Sequence, residues 1–444
     1  MDRATIGPIL KKRREKEGLT IRQVAAKLDL APGTISNMER GLPNVMKEKF
    51  IDYAKFLEIE EELFGIVSKE KEKERRYEKR LAELEYIASI NPEKTLTYLD
   101  EIHNDLTNQK RGKLVTMVHF LRGICHFNLK NWDAATEHFE QVVEHVTEAQ
   151  EGSPLKKMNL LSAAYNHLGI IVYFRDYNLI KALEYTQKGI DSFIHNEQRL
   201  HHYYLLLMNR PIYLEEMNEN EKALQATKDL EKEIFRLDTS NILDNIKLKI
   251  LVQLHDFYAT IYNNLGLQEE ALSHAFQGVK IAWINQKYDR LFSLWTTIGK
   301  IYTELGDIQI AKTYYQLALD IEKKVKHEKH LSFAYTNLSE MLLKEGKWEK
   351  SKQFAQKALN IGKNHPQKLL YIKALLSLGK WYITKEEYQN GLETLQAAEE
   401  ICRKYQFKKE RISIVANICT CYNGLNDQEN YNKYTALLHK LITS

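Results

Sequence analysis

The sequence has little glycine, proline or cysteine: 19, 7 and 4 of its 444 residues. Because glycine and proline interrupt helices, their scarcity predicts an almost entirely helical chain. No apolar run approaches the roughly 20 residues that a membrane-spanning helix needs. No apolar secretory segment stands at the N-terminus either. We therefore expect a cytoplasmic protein that has no membrane partner.

Residues that often carry chemistry are present, but not in the spacings that chemistry requires. Cys419 and Cys421 are two residues apart on a predicted helix, so they point in different directions and suit neither a disulfide nor a metal site. No histidine and glutamate spacing matches a helical metal site, and the motifs of phosphate loops and nucleophile elbows are missing. We interpret the cysteines as buried or incidental thiols, and we expect no cofactor, no metal ion and no enzyme activity.

What the sequence contains instead is a repeat with a spacing of about 40 residues. Residues 295–319 read as a helix, a tight turn at Gly306 and a second helix. Small residues that lie twelve positions apart recur where the two helices of a pair must approach closely. These pairs are Gly123 with Ala135, Ala259 with Ala271, Gly299 with Ala311, Ser339 with Ser351, and Gly379 with Gly391. The pattern predicts eight helix pairs from about Lys113 onward and a weaker pair at 80–109.

Large apolar residues are expected to fill the space between the two helices of a pair. In the clearest copy they are Leu294, Ile298, Ile301, Tyr302, Leu305, Tyr315 and Leu319. This pattern resembles the tetratricopeptide repeat, whose helix pairs stack into a right-handed superhelix with a concave inner face. We expect such an array over residues 81–444, with about eight to nine helix pairs. A concave face of this kind binds ligands and performs no chemistry by itself.

The first 66 residues depart from the repeat and predict a domain of five short helices. Gly18 ends the first helix, and Thr20 is the expected N-cap of the second. Pro32 begins the third helix, at the position where proline is tolerated, and Gly41 ends it. Two short helices joined by a tight turn inside such a domain form the helix-turn-helix geometry.

The stretch 14–41 resembles the helix-turn-helix of the phage-repressor family. The residues that fall on the family's motif are Ala25, Leu30, Ile35, Ser36, Glu39 and Gly41. There are two departures. Asp29, which tolerates a left-handed backbone, stands where the family usually has glycine, and Ala31 replaces the serine that caps the third helix. The resemblance also implies that Arg14 and Glu39 form an internal ion pair, so we assign both to structure.

Charge supports DNA binding by this domain. Residues 1–50 hold 11 Lys and Arg against 6 Asp and Glu, a net charge of +5, whereas the whole chain carries +4. The third helix should enter the major groove by its N-terminal half. Asn37 is the best base reader because an amide can pair bidentately with adenine, and Gly33 allows a close approach. The residues expected to contact double-stranded DNA are Arg22, Gln23, Gly33, Thr34, Ser36, Asn37, Arg40 and Lys47.

Residues 67–80 carry dense charge of both signs. Glutamate and lysine recur at spacings of three and four, which predicts a solvated helical connector between the DNA-binding domain at 1–66 and the array at 81–444. The same segment is also compatible with a hinge whose angle sets the spacing of two DNA-binding domains.

Several first helices of the repeats carry asparagine on the expected inner wall. An asparagine side chain can both donate to and accept from an extended peptide backbone. The alternative is that these asparagines stabilise neighbouring repeats. Arg122, Arg175 and Arg210 are candidates for contacts with acidic groups or a C-terminal carboxylate. The expected peptide-binding residues are Asn128, Asn166, Arg175, Asn209, Asn264, Asn337 and Asn417.

A repressor-type head followed by a tetratricopeptide array resembles the peptide-pheromone receptors of Gram-positive bacteria, the RRNPP group (Rap, Rgg, NprR, PlcR, PrgX), and its NprR-type members most. The resemblance implies a transcription regulator that binds a short signalling peptide in its concave groove and forms a homodimer, often through the C-terminal repeats. Two alternatives stay open. In one, the array binds and inhibits another protein, such as a phosphorelay component. In the other, the chain is a phage or mobile-element regulator with the same biochemistry.

Overall fold

A computed structural model describes residues 3–42, 45–106, 112–195, 198–236, 241–365 and 367–443. These residues form 22 α-helices, two short 3-10 helices and no strand, so the predicted all-α class is confirmed. The chain divides into two compact units, Met1–Leu129 and Lys130–Ser444. The predicted domain limits at residues 66 and 80 stay a prediction.

The first unit contains seven helices within the described residues. They are α1 (Arg3–Lys16), α2 (Ile21–Lys27), α3 (Pro32–Glu39), α4 (Lys47–Phe56), α5 (Glu60–Ile87), α6 (Pro92–Asp105) and α7 (Lys113–Asn128). The side chains of α1–α4 enclose a small core that includes Leu10, Val24, Ile35 and Phe50. Gly7 lets α1 lie directly on the end of α3, because a Cβ at this position would stand 2.4 Å from the carbonyl oxygen of Met38.

One continuous helix, α5, replaces the predicted short helix near 60–67 and the predicted connector at 67–80. Residues 67–80 contain no proline or glycine and consist mostly of strong helix formers. Nothing in this segment therefore ends the helix, which continues to Ile87.

The second unit contains the remaining fifteen helices of the described chain. They are α8 (Trp132–Thr147), α9 (Leu160–Arg175), α10 (Leu179–Asp191), α11 (Leu200–Glu216), α12 (Asn220–Phe235), α13 (Asn241–Asn264), α14 (Gln268–Ile284), α15 (Tyr288–Leu305), α16 (Ile308–Asp320), α17 (Glu328–Lys344), α18 (Trp348–Asn364), α19 (Lys368–Thr384), α20 (Tyr388–Tyr405), α21 (Lys408–Gly424) and α22 (Gln428–Thr443). Each helix packs mainly on its neighbours in sequence.

Helices α9–α22 form seven successive pairs in which the first helices also touch one another. Helix α13 contacts α15, α15 contacts α17, and α17 contacts α19. The first helices of the pairs therefore form an inner layer, and the second helices form an outer layer. This is the layering expected of the tetratricopeptide repeat.

The small residues lie where the repeat pattern predicted close helix packing. A Cβ at Gly299 would stand 3.0 Å from the ring of Tyr315, which is itself buried. Ser339 and Ser351 each donate a hydrogen bond to the other's carbonyl oxygen at 2.8 Å. One apolar prediction was wrong: Leu305 is 49% exposed. It is the last residue of α15, so it lies at the rim of the pair and not between its helices.

Candidate functional site

The predicted recognition helix, α3, is set in place by the chain on either side of it. Thr20 caps α2 through a capping box in which its Oγ1 accepts from the backbone N–H of Gln23. The turn after α2 holds Asp29 at φ 52°, the left-handed conformation that the sequence predicted. Helix α3 then begins at Pro32, and its N-cap Ala31 makes no side-chain hydrogen bond, also as predicted.

A buried ion pair joins α1, α3 and α4. The guanidinium of Arg14 donates to both carboxylate oxygens of Glu39, at 2.6 and 3.0 Å. Arg14 also donates to the carbonyl oxygen of Leu19 at 2.8 Å, and the Tyr53 hydroxyl donates to Glu39 at 2.8 Å. The hydrogen bond to Glu39 raises the pKa of Arg14, and burial raises the pKa of Tyr53. The pair is structural, which confirms its assignment from the sequence.

The residues predicted to contact DNA lie on the accessible side of this arrangement. Arg22, Gln23, Gly33, Arg40 and Lys47 are exposed, and Thr34, Ser36 and Asn37 are half-buried. Nη2 of Arg40 donates to Oδ1 of Asn37 at 2.6 Å, which orients the amide. A carbonyl oxygen has two lone pairs, so Asn37 can still accept from adenine while its amide N–H donates. DNA contact by these eight residues stays a prediction.

A second polar site lies inside the second unit, where helices distant in sequence meet. Glu216, the last residue of α11, accepts hydrogen bonds from the hydroxyls of Tyr173 at 2.5 Å and Tyr177 at 2.9 Å. Gln367, at the start of α19, donates to the Tyr173 hydroxyl at 2.9 Å and to Glu216 at 3.3 Å. The ring of Tyr177 stacks on Phe407, which precedes α21, with ring centroids 3.8 Å apart. We call these five residues the clasp.

The clasp joins α9 and α11, near the start of the second unit, to its last repeats. Burial raises the pKa of Glu216 to about 7, although the two tyrosine hydrogen bonds oppose this shift. Tyr177 takes φ 50° at a turn position that is left-handed in the other pairs too, where the residue is Gly306 in one pair and Glu386 in another. A bulky residue at positive φ is uncommon and marks a backbone held by its surroundings. A cavity of about 690 Å³ adjoins Tyr177, Glu216 and Phe407.

Charged side chains also lie on four successive first helices of the array, α13, α15, α17 and α19. Asp256 of α13 accepts from Nη1 of Arg290 and from the hydroxyl of Ser293, each at 3.4 Å. Lys329 is the second residue of α17, and burial together with the charge of Arg290 lowers its pKa. Lys373 of α19 lies over the ring of Phe333, 4.9 Å from its centroid. We call Arg290, Lys329 and Lys373 the inner cations.

Several residues predicted for peptide binding are engaged with other parts of the protein. Asn128 donates to the carbonyl oxygen of Ala88 at 3.3 Å. Asn166 is 1% exposed, and its Oδ1 accepts from Asn209 at 3.2 Å. Asn337 is half-buried on α17. The link between Asn166 and Asn209 joins successive repeats and agrees with the alternative that these asparagines stabilise the array.

The other three candidates also have partners. Asn264 donates to Glu215 at 2.8 Å, again between successive repeats. Asn417 donates to a carbonyl oxygen of its own helix at 2.7 Å. Arg175 pairs with Asp133 and with Asp176, at 2.9 Å each. Peptide contact by the seven predicted residues stays a prediction, and a ligand would have to compete with these contacts.

The clasp and the inner cations were not predicted from the sequence. Their residues come from five helices and the turns between them, so no local motif contains them. One local signal was available: Tyr177 stands at a turn position where three other pairs have glycine and the remaining pairs have a polar residue. Comparing the starts of the first helices would have revealed Arg290 and Lys329, which lie in the first turns of α15 and α17.

The described residues include no group of three or more His, Cys, Asp or Glu placed to hold a metal ion. The four cysteines are free and buried, as predicted. Within the part of the chain that the structure describes, no helix is long and apolar enough to cross a membrane.

Comparison with known proteins finds family models for a stretch of the head and a stretch of the array. A helix-turn-helix family model matches residues 10–64, and a tetratricopeptide-repeat family model matches residues 290–364. No curated protein sequence matches the chain. The predicted combination of a repressor-type head with tetratricopeptide repeats is thus confirmed.

Solved structures show the same fold at low sequence identity. A Rap protein complexed with competence and sporulation factor is 14% identical with a TM-score of 0.57, covering 83% of this chain and 98% of that one. The apo form of RapI is 14% identical with a TM-score of 0.55, covering 83% and 97%. The apo quorum sensor NprR from B. thuringiensis is 15% identical with a TM-score of 0.46, covering 97% and 99%. The two Rap structures, whose group is named in the RRNPP resemblance, therefore share the fold of this chain.

Proposed function

We propose that the protein is a DNA-binding transcription regulator whose array binds a short signalling peptide on its inner layer and thereby alters DNA binding. One observation carries this proposal. A single chain joins a basic helix-turn-helix head to an array of tetratricopeptide repeats. Fold similarity to a Rap protein complexed with competence and sporulation factor supports a ligand-binding array.

The head supports the DNA half of the proposal through charge and exposure. Residues 1–50 carry a net charge of +5, and Arg22, Arg40 and Lys47 are exposed around α3. Basic side chains of this kind neutralise phosphates and fix the protein on the duplex, whereas Asn37 would read a base. A single head offers few base readers, so we propose a homodimer on two half-sites, formed through the C-terminal repeats.

The array supports the regulatory half through its long-range contacts. The clasp connects residues as far apart as Tyr173 and Gln367, so a ligand on the inner layer would alter the curvature of the array by favouring or opposing the clasp. A peptide shifts such an equilibrium only as far as it binds one curvature better than the other. A changed curvature would then move two heads relative to their half-sites.

The alternative is a protein-interaction adaptor, in which the array binds and inhibits another protein such as a phosphorelay component. Similarity to Rap proteins shows only a shared fold, so it does not decide between the two functions. The two functions differ in one respect: a regulator must bind particular DNA fragments, and an adaptor need not.

A pull-down of fragmented host genomic DNA by the purified full chain tests the proposal. It is run with and without the small-peptide fraction of spent culture medium. Enrichment of a few promoter fragments, altered by the peptide fraction, is the expected result. Enrichment that ignores the fraction would contradict the peptide half, and enrichment of no fragment in either condition would favour the adaptor.

A further inference from the structure

The cavity beside the clasp is formed by parts of the second unit that are distant in sequence. One wall comes from the turn between α9 and α10 and from the turn between α11 and α12, at residues 176–180 and 216–218. The other wall comes from the connection between α20 and α21, at residues 404–410, and from the end of α22. Its volume of about 690 Å³ lies within the range that is usual for small-molecule sites.

The carboxylate of the clasp presents one of its two oxygens to this cavity. Oε1 of Glu216 accepts from Tyr173 at 2.5 Å and from Gln367 at 3.3 Å, and neither of these residues lines the cavity. Within the described structure, Oε2 accepts from Tyr177 alone, at 2.9 Å, and Tyr177 does line the cavity. A carboxylate has about four acceptor positions, so Oε2 can accept a further hydrogen bond from a molecule inside the cavity.

The carboxylates that line the cavity are not neutralised by ion pairs, with one exception. The hydrogen-bond partners of Glu216 are all neutral groups. Glu410 also lines the cavity, and among the described residues its carboxylate has no hydrogen-bond or ion-pair partner. The exception is Asp176, which is paired with Arg175 at 2.9 Å. A donor with positive charge is therefore the group that best matches Oε2 of Glu216.

Lysine side chains near the cavity leave this carboxylate available. Three of them line the cavity, and they are Lys404, Lys408 and Lys409. Their side chains are exposed to water, where the attraction between two charges is weak, and none forms an ion pair with Glu216 in the part of the chain that the structure describes. Lys373 acts on Glu216 as well, but its ammonium group lies over the ring of Phe333.

Large apolar side chains line the same cavity and remain mostly exposed. Ile180 of α10 and Ile442 of α22 are each 63% exposed. Met217 and Leu441, which are half-buried, line the cavity beside them. Covering these side chains with an apolar group is favourable because it removes apolar surface from water. The lining therefore suits a molecule that combines one positive group with an apolar body.

We propose that this cavity binds a small molecule that carries a primary ammonium group on an apolar body. The ammonium group donates to Oε2 of Glu216, and the apolar body covers Ile180 and Ile442. Because the two walls come from pairs near the two ends of the unit, the bound molecule favours the closed clasp. This inference does not depend on the proposed function, and it holds whether or not the array binds a signalling peptide.

Three probes with the same alkyl chain separate charge from apolar contact: hexylamine, hexanol and hexanoate. Their affinities for the purified full chain are measured by isothermal titration calorimetry at about pH 8, where Glu216 is ionised and an alkylamine is protonated. The variants are Glu216→Gln, whose amide keeps the size of the side chain, and Ile180→Ser. Ile284→Ser is the matched control, because Ile284 is 60% exposed on α14 and does not line the cavity.

The wild-type protein and Ile284→Ser are expected to bind hexylamine about tenfold more tightly than hexanol or hexanoate, because a hydrogen bond to a charged carboxylate strengthens binding by about that factor. Glu216→Gln should bind hexylamine no better than hexanol. Ile180→Ser should weaken the binding of hexylamine and hexanol alike, by about threefold.

Four results would overturn the inference. They are equal binding of hexylamine and hexanol by the wild-type protein, tighter binding of hexanoate, an unchanged preference for the amine in Glu216→Gln, and unchanged affinities in Ile180→Ser. Failure of the wild-type protein to bind any of the three probes overturns it as well.

Discussion

The head and the array each contain a buried polar cluster, but the two clusters are assembled over very different distances in sequence. In the head, Arg14 and Glu39 are 25 positions apart, and one short motif contains both. In the array, Tyr173 and Gln367 are 194 positions apart, and no motif contains both. A site inside one supersecondary motif can be predicted from the sequence, whereas a site formed by contacts between distant repeats cannot.

The two clusters also differ in what they do with charge. The head neutralises its buried carboxylate with a guanidinium at 2.6 Å. The clasp holds Glu216 with neutral hydroxyl and amide groups, which carry no charge to balance the carboxylate. Burial therefore raises the pKa of Glu216. The first arrangement fixes a structure, and the second leaves a group that can change its charge near neutral pH.

The largest effect is expected from a substitution that removes the buried ion pair of the head. Glu39→Ala leaves Arg14 buried without its carboxylate and should destabilise the head by about 3–5 kcal/mol. Hydrogen exchange of the amides in α1 and α3, measured in the full chain, reports this loss. Glu15→Ala is the matched control, because Glu15 contacts the same arginine at 3.5 Å but is 55% exposed. It should cost less than about 0.5 kcal/mol, and equal losses in both variants would refute a structural role for the buried pair.

The next largest effect is a pH dependence of stability, which we expect from the clasp and not from the ion pair in the head. The pKa of Glu216 lies near 7 in the folded protein, above its ordinary value of 4.5. The native state therefore holds a proton that the unfolded state releases, and stability contributed by this proton is lost as the pH rises through about 7. Tyr173, Tyr177, Glu215 and Lys373 all act on this group.

Glu216→Gln should remove that loss, because the amide stays neutral. We expect the variant to exceed the wild-type protein by roughly 2–3 kcal/mol at about pH 8 and to match it more closely at about pH 5. Hydrogen exchange of α11 and α19 at both pH values measures the difference. Parallel pH profiles for the two proteins would show that Glu216 does not titrate in this range.

A smaller effect tests whether the exposed side of the head reads DNA. Asn37→Ala should keep the fold, since the side chain is only half-buried, and should weaken binding to an enriched fragment by about 1–3 kcal/mol. Fluorescence anisotropy with specific and scrambled fragments gives the affinities. Binding of the specific fragment at wild-type strength would mean that Asn37 does not read a base.

The smallest expected effect on stability comes from Gly33→Ala. A Cβ at Gly33 meets no atom within 4 Å, and alanine favours a helix over glycine by up to about 1 kcal/mol. The variant should be as stable as the wild-type protein or slightly more stable, yet bind DNA less tightly because a methyl group would separate α3 from the duplex. Gly7→Ala provides the contrast, because its Cβ would clash with backbone atoms at 2.4 Å. Undiminished DNA affinity in Gly33→Ala would mean that α3 does not approach DNA at this residue.

Much of the fold followed from local rules. Thr20 caps a helix, Asp29 accepts a left-handed turn, and Gly306 ends α15 at φ 89°. Each of these residues acts on its own neighbours, so the sequence pattern predicts it. The small pair Ser339 and Ser351 was equally predictable, because the repeat fixes both the spacing and the need for close packing.

The sites that the sequence did not predict depend on how many repeats stack and how far the array turns. Tyr173 gains its significance from Glu216 and Gln367, which belong to other repeats. Asn166 and Asn209 fitted a ladder of peptide-binding residues, but they contact each other. A residue type at a repeat position does not reveal whether its partner is a ligand or the next repeat.

The central claim is that a peptide on the array changes how the head binds DNA. It is tested most directly by the Kd of the full chain for an enriched promoter fragment, measured by anisotropy without peptide and at saturating peptide. Saturation is established independently from the thermal shift of the array. We predict a change in Kd of between about 5-fold and 150-fold, the usual range of coupling between two sites. An unchanged Kd while the peptide is bound would contradict the claim.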